Sequence, residues 1–207
     1  MIRDALGFEQ RYTVRVLGDV PGSRTATRFG ISRRGPIAPN GMMLEILPES
    51  SPPWVGVFEQ CADDYPLTGV FGTPSRCRLC VLNQGAGYIV SAYEASDWEA
   101  VVVLPVLRVH RVPEKALLLF NGFTDLAAYG SRGLEWVLDT LSVDDLEVSD
   151  VTADSISGSA RDPLNGERIP FQVDAMTGAL EGGSRLARLR RRSDLTRDER
   201  GSPHTWT

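Results

Sequence analysis

Apolar stretches in this sequence are short, and residues that favour turns interrupt them roughly every 8–12 positions. This spacing is typical of domains built from β-strands, because each strand of about six residues is followed at once by a turn. Helix-forming patterns are scarce before residue 184. The spacing therefore predicts an all-β fold, with strands at 12–17, 42–47, 54–59, 77–82, 88–93, 100–104, 107–112, 116–120, 125–129, 134–138, 146–151, 155–160 and 169–174.

The turn residues between these predicted strands favour antiparallel hairpins. Asn40-Gly41, Asn121-Gly122 and Asn165-Gly166 supply the positive φ angles that tight hairpins need. The apolar run at 116–120 does not alternate with polar residues, so we expect both of its faces to be buried. The proline-containing and arginine-containing segment 18–40 is predicted to be irregular. Short antiparallel strands of this kind predict a β-sandwich or a partial propeller.

Three segments of the chain repeat loosely. They read YIVSAYEASDW at 88–98, LAAYGSRGLEW at 126–136 and FQVDAMTGALEG at 171–182. In each, a strand ends in Tyr or Asp and a tight turn leads into the next strand. Tyr93, Tyr129 and Asp174 mark equivalent positions that are 36 and 45 residues apart. This period is close to the ~40–45 residues of one four-stranded propeller blade, which must stack on its neighbours to bury both faces.

These segments resemble the blades of quinoprotein-like and WD-type propellers, in which a strand ends in Asp-x-x-Thr-Gly and the next strand opens with Trp. The resemblance covers about residues 77–183. The frame GVFGTP at 69–74 followed by GYIV at 87–90 is also similar to uncharacterised bacterial proteins. The resemblance implies stacked blade-like sheets and no particular activity. We expect a single all-β domain at 1–184 and an irregular, Arg-rich, flexible C-terminal tail at 185–207.

Charge is distributed unevenly along the chain. There are 22 basic and 27 acidic side chains, for a formal net charge of −5. From Arg185 onward, seven arginines and three acids give +4, so the remainder carries −9. Nucleic acid binding needs a positive surface, so we expect no nucleic acid partner beyond a contact with the tail. The acidic remainder favours another protein as partner, and in particular a basic one.

Several features predict a cytoplasmic bacterial protein. No apolar run approaches the ~20 residues that span a bilayer, and the first nine residues include acids where a signal peptide has an apolar core. The three cysteines are too few for a disulfide framework. Of the 22 basic residues only Lys115 is a lysine, which indicates a GC-rich bacterial coding sequence.

The sequence offers little material for a metal or a cofactor. Cys77 and Cys80 form a Cys-x-x-Cys pair, but a zinc site needs four ligands and Cys61 is the one other thiol. If 77–82 is a strand, Cys77 and Cys80 point to opposite faces, so we interpret them as structural cysteines. The glycine-rich stretch 83–87 is not followed by the helix that dinucleotide binding requires. We therefore predict no metal and no cofactor.

No catalytic set is assembled in the sequence, so we expect a protein that is not an enzyme. His110 alternates with apolar residues in a predicted strand, which favours a polar strand face over a catalytic dyad. Asp144, Asp145 and Asp150 are typical of solvated turns. The alternative is a hydrolase in which the fold brings these carboxylates and His110 together at one cleft.

The preferred hypothesis is a cytoplasmic protein-binding module, such as an adaptor or a toxin-neutralising immunity-type protein. Tryptophan and arginine are over-represented at the centres of protein interfaces, although tryptophans that open strands also pack in cores. A structural role in a larger assembly, including a homo-oligomer, is a third hypothesis because exposed sheet edges favour strand addition. The candidate contact residues are Trp54, Trp98, Trp136, Arg24, Arg28, Arg33 and Arg34.

Overall fold

The computed structural model describes residues 2–4, 7–18, 25–31, 41–61 and 65–192. Within these ranges the chain is all-β, which confirms the predicted all-β class. The described residues form eighteen strands in four sheets and one 3₁₀ turn at Pro113–Lys115, and none of these sheets closes on itself. The chain divides into two compact units, one before Val102 and one that begins there.

The first unit contains two sheets. Its strands are β1 (Ile2–Asp4), β2 (Tyr12–Leu17), β3 (Ala26–Phe29), β4 (Met42–Pro48), β5 (Trp54–Phe58), β6 (Gly69–Gly72), β7 (Arg78–Asn83), β8 (Ala86–Ser91) and β9 (Trp98–Ala100). In sheet 1, β6 to β9 pair antiparallel in chain order, and β1 lies parallel beside β6. Sheet 2 has the order β2-β4-β5-β3, and its edge strand β3 runs parallel to β5.

The second unit also contains two sheets. Its strands are β10 (Arg108–Val112), β11 (Leu117–Asn121), β12 (Leu126–Gly130), β13 (Gly133–Asp139), β14 (Glu147–Val151), β15 (Ser155–Arg161), β16 (Arg168–Asp174), β17 (Leu180–Gly182) and β18 (Arg188–Arg191). In sheet 3, β10 to β13 pair antiparallel in chain order, and β18 pairs with β13. Sheet 4 is the antiparallel series β14 to β17.

In each unit, an apolar cluster takes side chains from both of its sheets. In the first unit, Phe29 and Phe58 of sheet 2 pack in one cluster with Tyr88 of sheet 1. In the second unit, Trp136 of sheet 3 shares a cluster with Phe171 of sheet 4. Removing these large side chains from water is the main favourable contribution to the free energy of folding.

The sequence places most of these strands correctly. Twelve of the predicted strands coincide with a described strand within two residues, and every residue of β11 is buried, as the apolar run at 116–120 predicts. The stretch 83–87 is a hairpin turn: Gln84 and Gly85 have φ angles of 47° and 82°, and β8 follows directly. Two successive positive φ angles are typical of the type I′ turn that joins two antiparallel strands.

Other predictions about the strands differ from the structure. The strand predicted at 100–104 is wrong, because β9 ends at Ala100 and the chain then bends ahead of Pro105, which has no amide hydrogen for a ladder. The segment 18–40 contains β3, and the predicted flexible tail contributes β18. The residues of the predicted domain at 1–184 fall in two compact units, and the single domain stays a prediction. Residues 193–207 of the predicted tail lie outside the described residues.

The internal repeat falls on equivalent places in three sheets. Segments 88–98, 126–136 and 171–182 each contain all or the end of the third strand of a four-strand antiparallel series, the turn after it and at least the start of the fourth strand. These series are β6 to β9, β10 to β13 and β14 to β17. The sequence similarity therefore corresponds to a shared local structure.

Candidate functional site

Each unit contains a tryptophan that ties one of its sheets to the other. The Trp54 indole Nε1 donates a hydrogen bond of 2.8 Å to the carbonyl oxygen of Ala92, 38 residues later. The Trp136 Nε1 donates a bond of 3.0 Å to the carbonyl oxygen of Ala175, 39 residues later. Both alanines directly follow the third strand of an antiparallel series, β8 or β16. The two bonds are therefore equivalent ties in different units.

The turns that accept these bonds have the same internal geometry. The Ser91 hydroxyl oxygen accepts hydrogen bonds from the amides of Tyr93 at 3.3 Å and Glu94 at 3.2 Å. One carboxylate oxygen of Asp174 accepts bonds from the amides of Met176 at 3.1 Å and Thr177 at 2.7 Å. In both turns the acceptor binds the amides two and three residues later, as in Asx and Ser/Thr turns.

The Asp-x-x-Thr-Gly sequence of the second unit is this kind of turn. The Thr177 hydroxyl donates to the Asp174 carboxylate at 2.7 Å, and this bond is the main reason that the pKa of Asp174 is lowered. Gly178 has a φ of +70°, and a Cβ at this position would lie 2.9 Å from the Trp136 ring. The glycine therefore allows the turn backbone to lie directly against the tryptophan.

The two tryptophans differ in exposure. Trp136 is 1% exposed, and the Cβ position of Gly178 is also 2.7 Å from a methyl group of Leu189 on β18. Trp54 is half-buried. Trp136, one of the predicted contact residues, is thus a core residue that presents no side-chain surface to a partner.

Trp54 and Trp98 lie over the same buried ring. The Phe29 ring centroid is 6.0 Å from that of Trp54 and 5.5 Å from that of Trp98, and it is stacked on the Phe58 ring at 4.6 Å. Phe29 is fully buried, whereas both tryptophans are half-buried. The core therefore holds two partly exposed tryptophans at the side of the first unit that contains β3 and β9.

Charged groups around these tryptophans are unequally paired. Arg78 binds Asp97 at 2.8 Å and Glu99 at 3.1 Å, so the carboxylates on either side of Trp98 are both paired within the chain. Arg28 on β3 is exposed, and no carboxylate in the described part of the chain forms an ion pair with it. We name the group of Thr27, Arg28, Trp54 and Trp98 the tryptophan corner. Arg28 alternates with Phe29 along β3, so its side chain leaves the sheet on the face opposite the two tryptophans.

The remaining predicted contact residues lie outside the described residues. These are Arg24, Arg33 and Arg34. Sequence analysis did not single out Thr27, which lies beside Arg28 and is exposed. The signal that a strand begins here is weak, because β3 has four residues and is surrounded by prolines and glycines.

The residues of the hydrolase alternative do not meet in a described hydrogen-bonded set. Asp144, Asp145 and Asp150 are exposed, and Asp145 forms ion pairs with Arg168 and, at 3.6 Å, with Arg161. The Nε2 atom of His110 is buried without a hydrogen-bond partner among the described residues.

Burial lowers the pKa of His110, and the positive charge of Arg108 lowers it further. The neutral imidazole is therefore favoured at this position.

The cysteines are unpaired thiols. Cys61 and Cys80 are buried and Cys77 is exposed. Burial raises the pKa of Cys80, which keeps its thiol protonated and unreactive. Across the part of the chain that the structure describes, no group of three or more His, Cys, Asp or Glu side chains is placed to hold a metal ion.

A shallow cleft of about 210 Å³ lies in the second unit, between the 3₁₀ turn and the β12–β13 hairpin. Its polar lining includes Lys115, Arg132 and Glu135, and Met176 contributes apolar surface. Lys115 is paired with Asp154 at 3.0 Å. The cleft's charges are thus partly compensated within the chain, in contrast to Arg28 of the tryptophan corner.

Searches for similar proteins give no match to this chain: no protein-family model, no curated protein and no solved structure matches it. Among the described residues, no helix has the length and apolar character needed to cross a bilayer.

Proposed function

We propose that this chain is a non-enzymatic protein-binding module of the bacterial cytoplasm, of the adaptor or toxin-neutralising type, and that the tryptophan corner is its contact surface. The observation that carries the proposal is the placement of Trp54 and Trp98, both half-exposed over the buried Phe29 ring. Tryptophan and arginine are the side chains most enriched among residues that dominate binding energy. A packed ring also loses little rotational freedom on binding, so less of its contact energy is offset.

The partner in this proposal is another protein. Outside the Arg-rich tail the chain carries −9, which favours a basic partner through long-range attraction. At the corner itself the balance is different, because Asp97 and Glu99 are both paired with Arg78 while Arg28 has no described carboxylate partner. The net charge of the chain therefore affects how fast it meets a partner, and the charges at the tryptophan corner affect which part of the partner binds there.

The proposal includes the architecture that presents this surface. The series β6 to β9, β10 to β13 and β14 to β17 are proposed to be propeller-like blades. Three observations support this: the four-strand antiparallel order, the repeat at the third and fourth strands, and the equivalent tryptophan ties of 38 and 39 residues. Blade-like sheets present their turns and edges as recognition surfaces.

The proposal is tested by the molar mass of the purified chain, measured by light scattering before and after passage through a lysate of the native host. We expect a discrete heteromeric complex with the wild-type chain and with Arg188→Glu, a matched change of an exposed arginine on the edge strand β18. We expect Arg28→Glu to lose that complex. A monomer that captures nothing at any salt concentration contradicts the proposal, as does a complex that Arg28→Glu retains in full.

A further inference from the structure

The edge strand β3 has one strand neighbour in the described structure. It lies at the end of sheet 2 and pairs in parallel with β5 over its four residues. The carbonyl oxygen of Phe29 accepts a hydrogen bond of 2.9 Å from the amide of Glu59, directly after β5. Successive residues of a strand direct their backbone groups to opposite sides. Phe29 and Thr27 therefore face β5, whereas Ala26 and Arg28 direct their N–H and C=O groups away from the sheet.

These outward groups are placed to pair with another strand. Arg28 is exposed and Ala26 is half-buried, and no other described residue forms a hydrogen bond with the backbone of either. A row of unpaired N–H and C=O groups along a sheet edge is a template for an extended chain, which pairs at about 4.8 Å from the edge strand. The outer side of β3 therefore offers two donors and two acceptors to a peptide.

Charge selects the kind of peptide. Residues 20–44 contain four arginines and no acidic residue. Arg28, the one of these four that the structure describes, has no described carboxylate partner. On two other edge strands an arginine is already paired: Arg15 of β2 with Glu45 at 3.5 Å, and Arg190 of β18 with Asp139. The unpaired cation at β3 thus favours carboxylates in the incoming segment.

We infer that β3 accepts an extended acidic segment of a protein partner as an additional strand of sheet 2. The segment's carboxylates lie beside Arg28, and an apolar side chain packs on the exposed parts of Trp54 and Trp98. This inference rests on the proposed function and names the segment that docks. It is compatible with a partner that is basic overall, because charges more than about 10 Å apart are largely screened at physiological salt.

The test is selection of peptides from a display library of random ten-residue segments on the full chain, followed by fluorescence anisotropy with the enriched peptides. We expect enrichment of Asp and Glu alternating with β-branched or aromatic residues. Ala26→Pro removes one outward donor and leaves the bonds to β5 in place, so it weakens peptide binding about tenfold. Arg28→Gln weakens binding about threefold, because it removes an exposed charge contact. The control Arg188→Gln leaves the affinity unchanged.

Amide hydrogen exchange measured by NMR distinguishes strand addition from docking on the tryptophans alone. With a selected peptide bound, the amides of Ala26 and Arg28 become slow to exchange, while those of Thr27 and Phe29, already directed to β5, change little. This readout uses the wild-type chain, so it decides the question even if Ala26→Pro fails to fold. No enrichment, enrichment of basic peptides, or unchanged exchange at Ala26 and Arg28 overturns the inference.

The failure of this inference is distinguishable from failure of the proposed function. If Arg28→Glu disrupts a host complex but the Ala26 and Arg28 amides are not protected, the proposed binding module stands and the inference of strand addition is wrong. If the chain captures no host protein and enriches no peptide, both the proposed function and the strand-addition inference are wrong.

Discussion

The two tryptophan ties use the same hydrogen bond and the same kind of turn, yet Trp136 is a core residue and Trp54 is partly on the surface. In the second unit, Gly178 lies against the Trp136 ring and against Leu189 of β18, the strand that pairs with the tryptophan-bearing β13. In the first unit, the outer neighbour of β5 is β3, whose Thr27 is exposed. The comparison teaches that the strand added outside the tryptophan-bearing strand decides whether the same local motif stabilises a core or forms a surface.

The largest expected effect is a difference in the free energy of unfolding between Trp136→Ala and Trp54→Ala. Trp136 is 1% exposed, so its removal leaves a cavity and costs about 3–5 kcal/mol. Trp54 is half-buried and its removal costs less. Urea unfolding followed by circular dichroism measures both. Equal losses for the two variants contradict the proposed contrast between core and surface.

A smaller effect is expected from Gly178→Ala, with Gly166→Ala as its matched control. The two glycines have φ angles of +70° and +71°, but a Cβ at Gly178 meets Trp136 and Leu189 while one at Gly166 meets nothing within 4 Å. Backbone strain alone costs about 1–2 kcal/mol. We expect Gly166→Ala to lose this amount and Gly178→Ala to lose about 1–3 kcal/mol more from overpacking. Thermal and urea unfolding measure the stability of both variants. Equal losses contradict the prediction that a Cβ at Gly178 overpacks against Trp136 and Leu189.

The third prediction concerns pH and the second unit. The pKa of His110 is lowered in the folded chain by burial and then by Arg108, so the unfolded chain binds more protons near the usual histidine pKa. Stability therefore falls as the pH is lowered below about 6.5. Urea unfolding between pH 5 and 8 measures this decline, and His110→Gln reduces it. His204 is present in the wild-type chain and in His110→Gln. If the stability of the variant falls with pH as much as that of the wild type, a group other than His110 causes the loss.

The smallest effect separates the two turns. In the turn of the second unit the acceptor is the Asp174 carboxylate, which acid protonates. In the equivalent turn of the first unit the acceptor is the Ser91 hydroxyl, which acid does not titrate. Because the Thr177 bonds lower the pKa of Asp174, its contribution is present above the ordinary Asp pKa and is lost as the pH falls through the lowered value. NMR titration should show acid-induced shifts at the Thr177 amide that Asp174→Ser removes. Acid-induced shifts at the Thr177 amide that persist in Asp174→Ser contradict the assignment to Asp174.

Sequence reasoning predicted the positions of the strands better than it predicted the exposure of the candidate contact residues. Tyr12–Leu17 and the apolar run of β11 could be predicted because alternation and continuous apolarity report how many faces of a strand are buried. The short strands β3 and β18 carry too few apolar residues to show a pattern. Trp54, Trp98 and Trp136 were treated alike because the indole is the same in each. Their different exposures depend on strands distant in sequence.

The sequence by itself determined the all-β class, most strand positions, the repeat and the Asp-x-x-Thr-Gly turn, because each depends on residues that are neighbours along the chain. The tertiary structure decided which tryptophan is sealed, that β3 is an edge strand parallel to β5, and that Arg28 has no described carboxylate partner. These properties arise when strands separated by tens of residues pair and pack. Burial and pairing depend on neighbours in space, and a local pattern does not encode which strand arrives beside it.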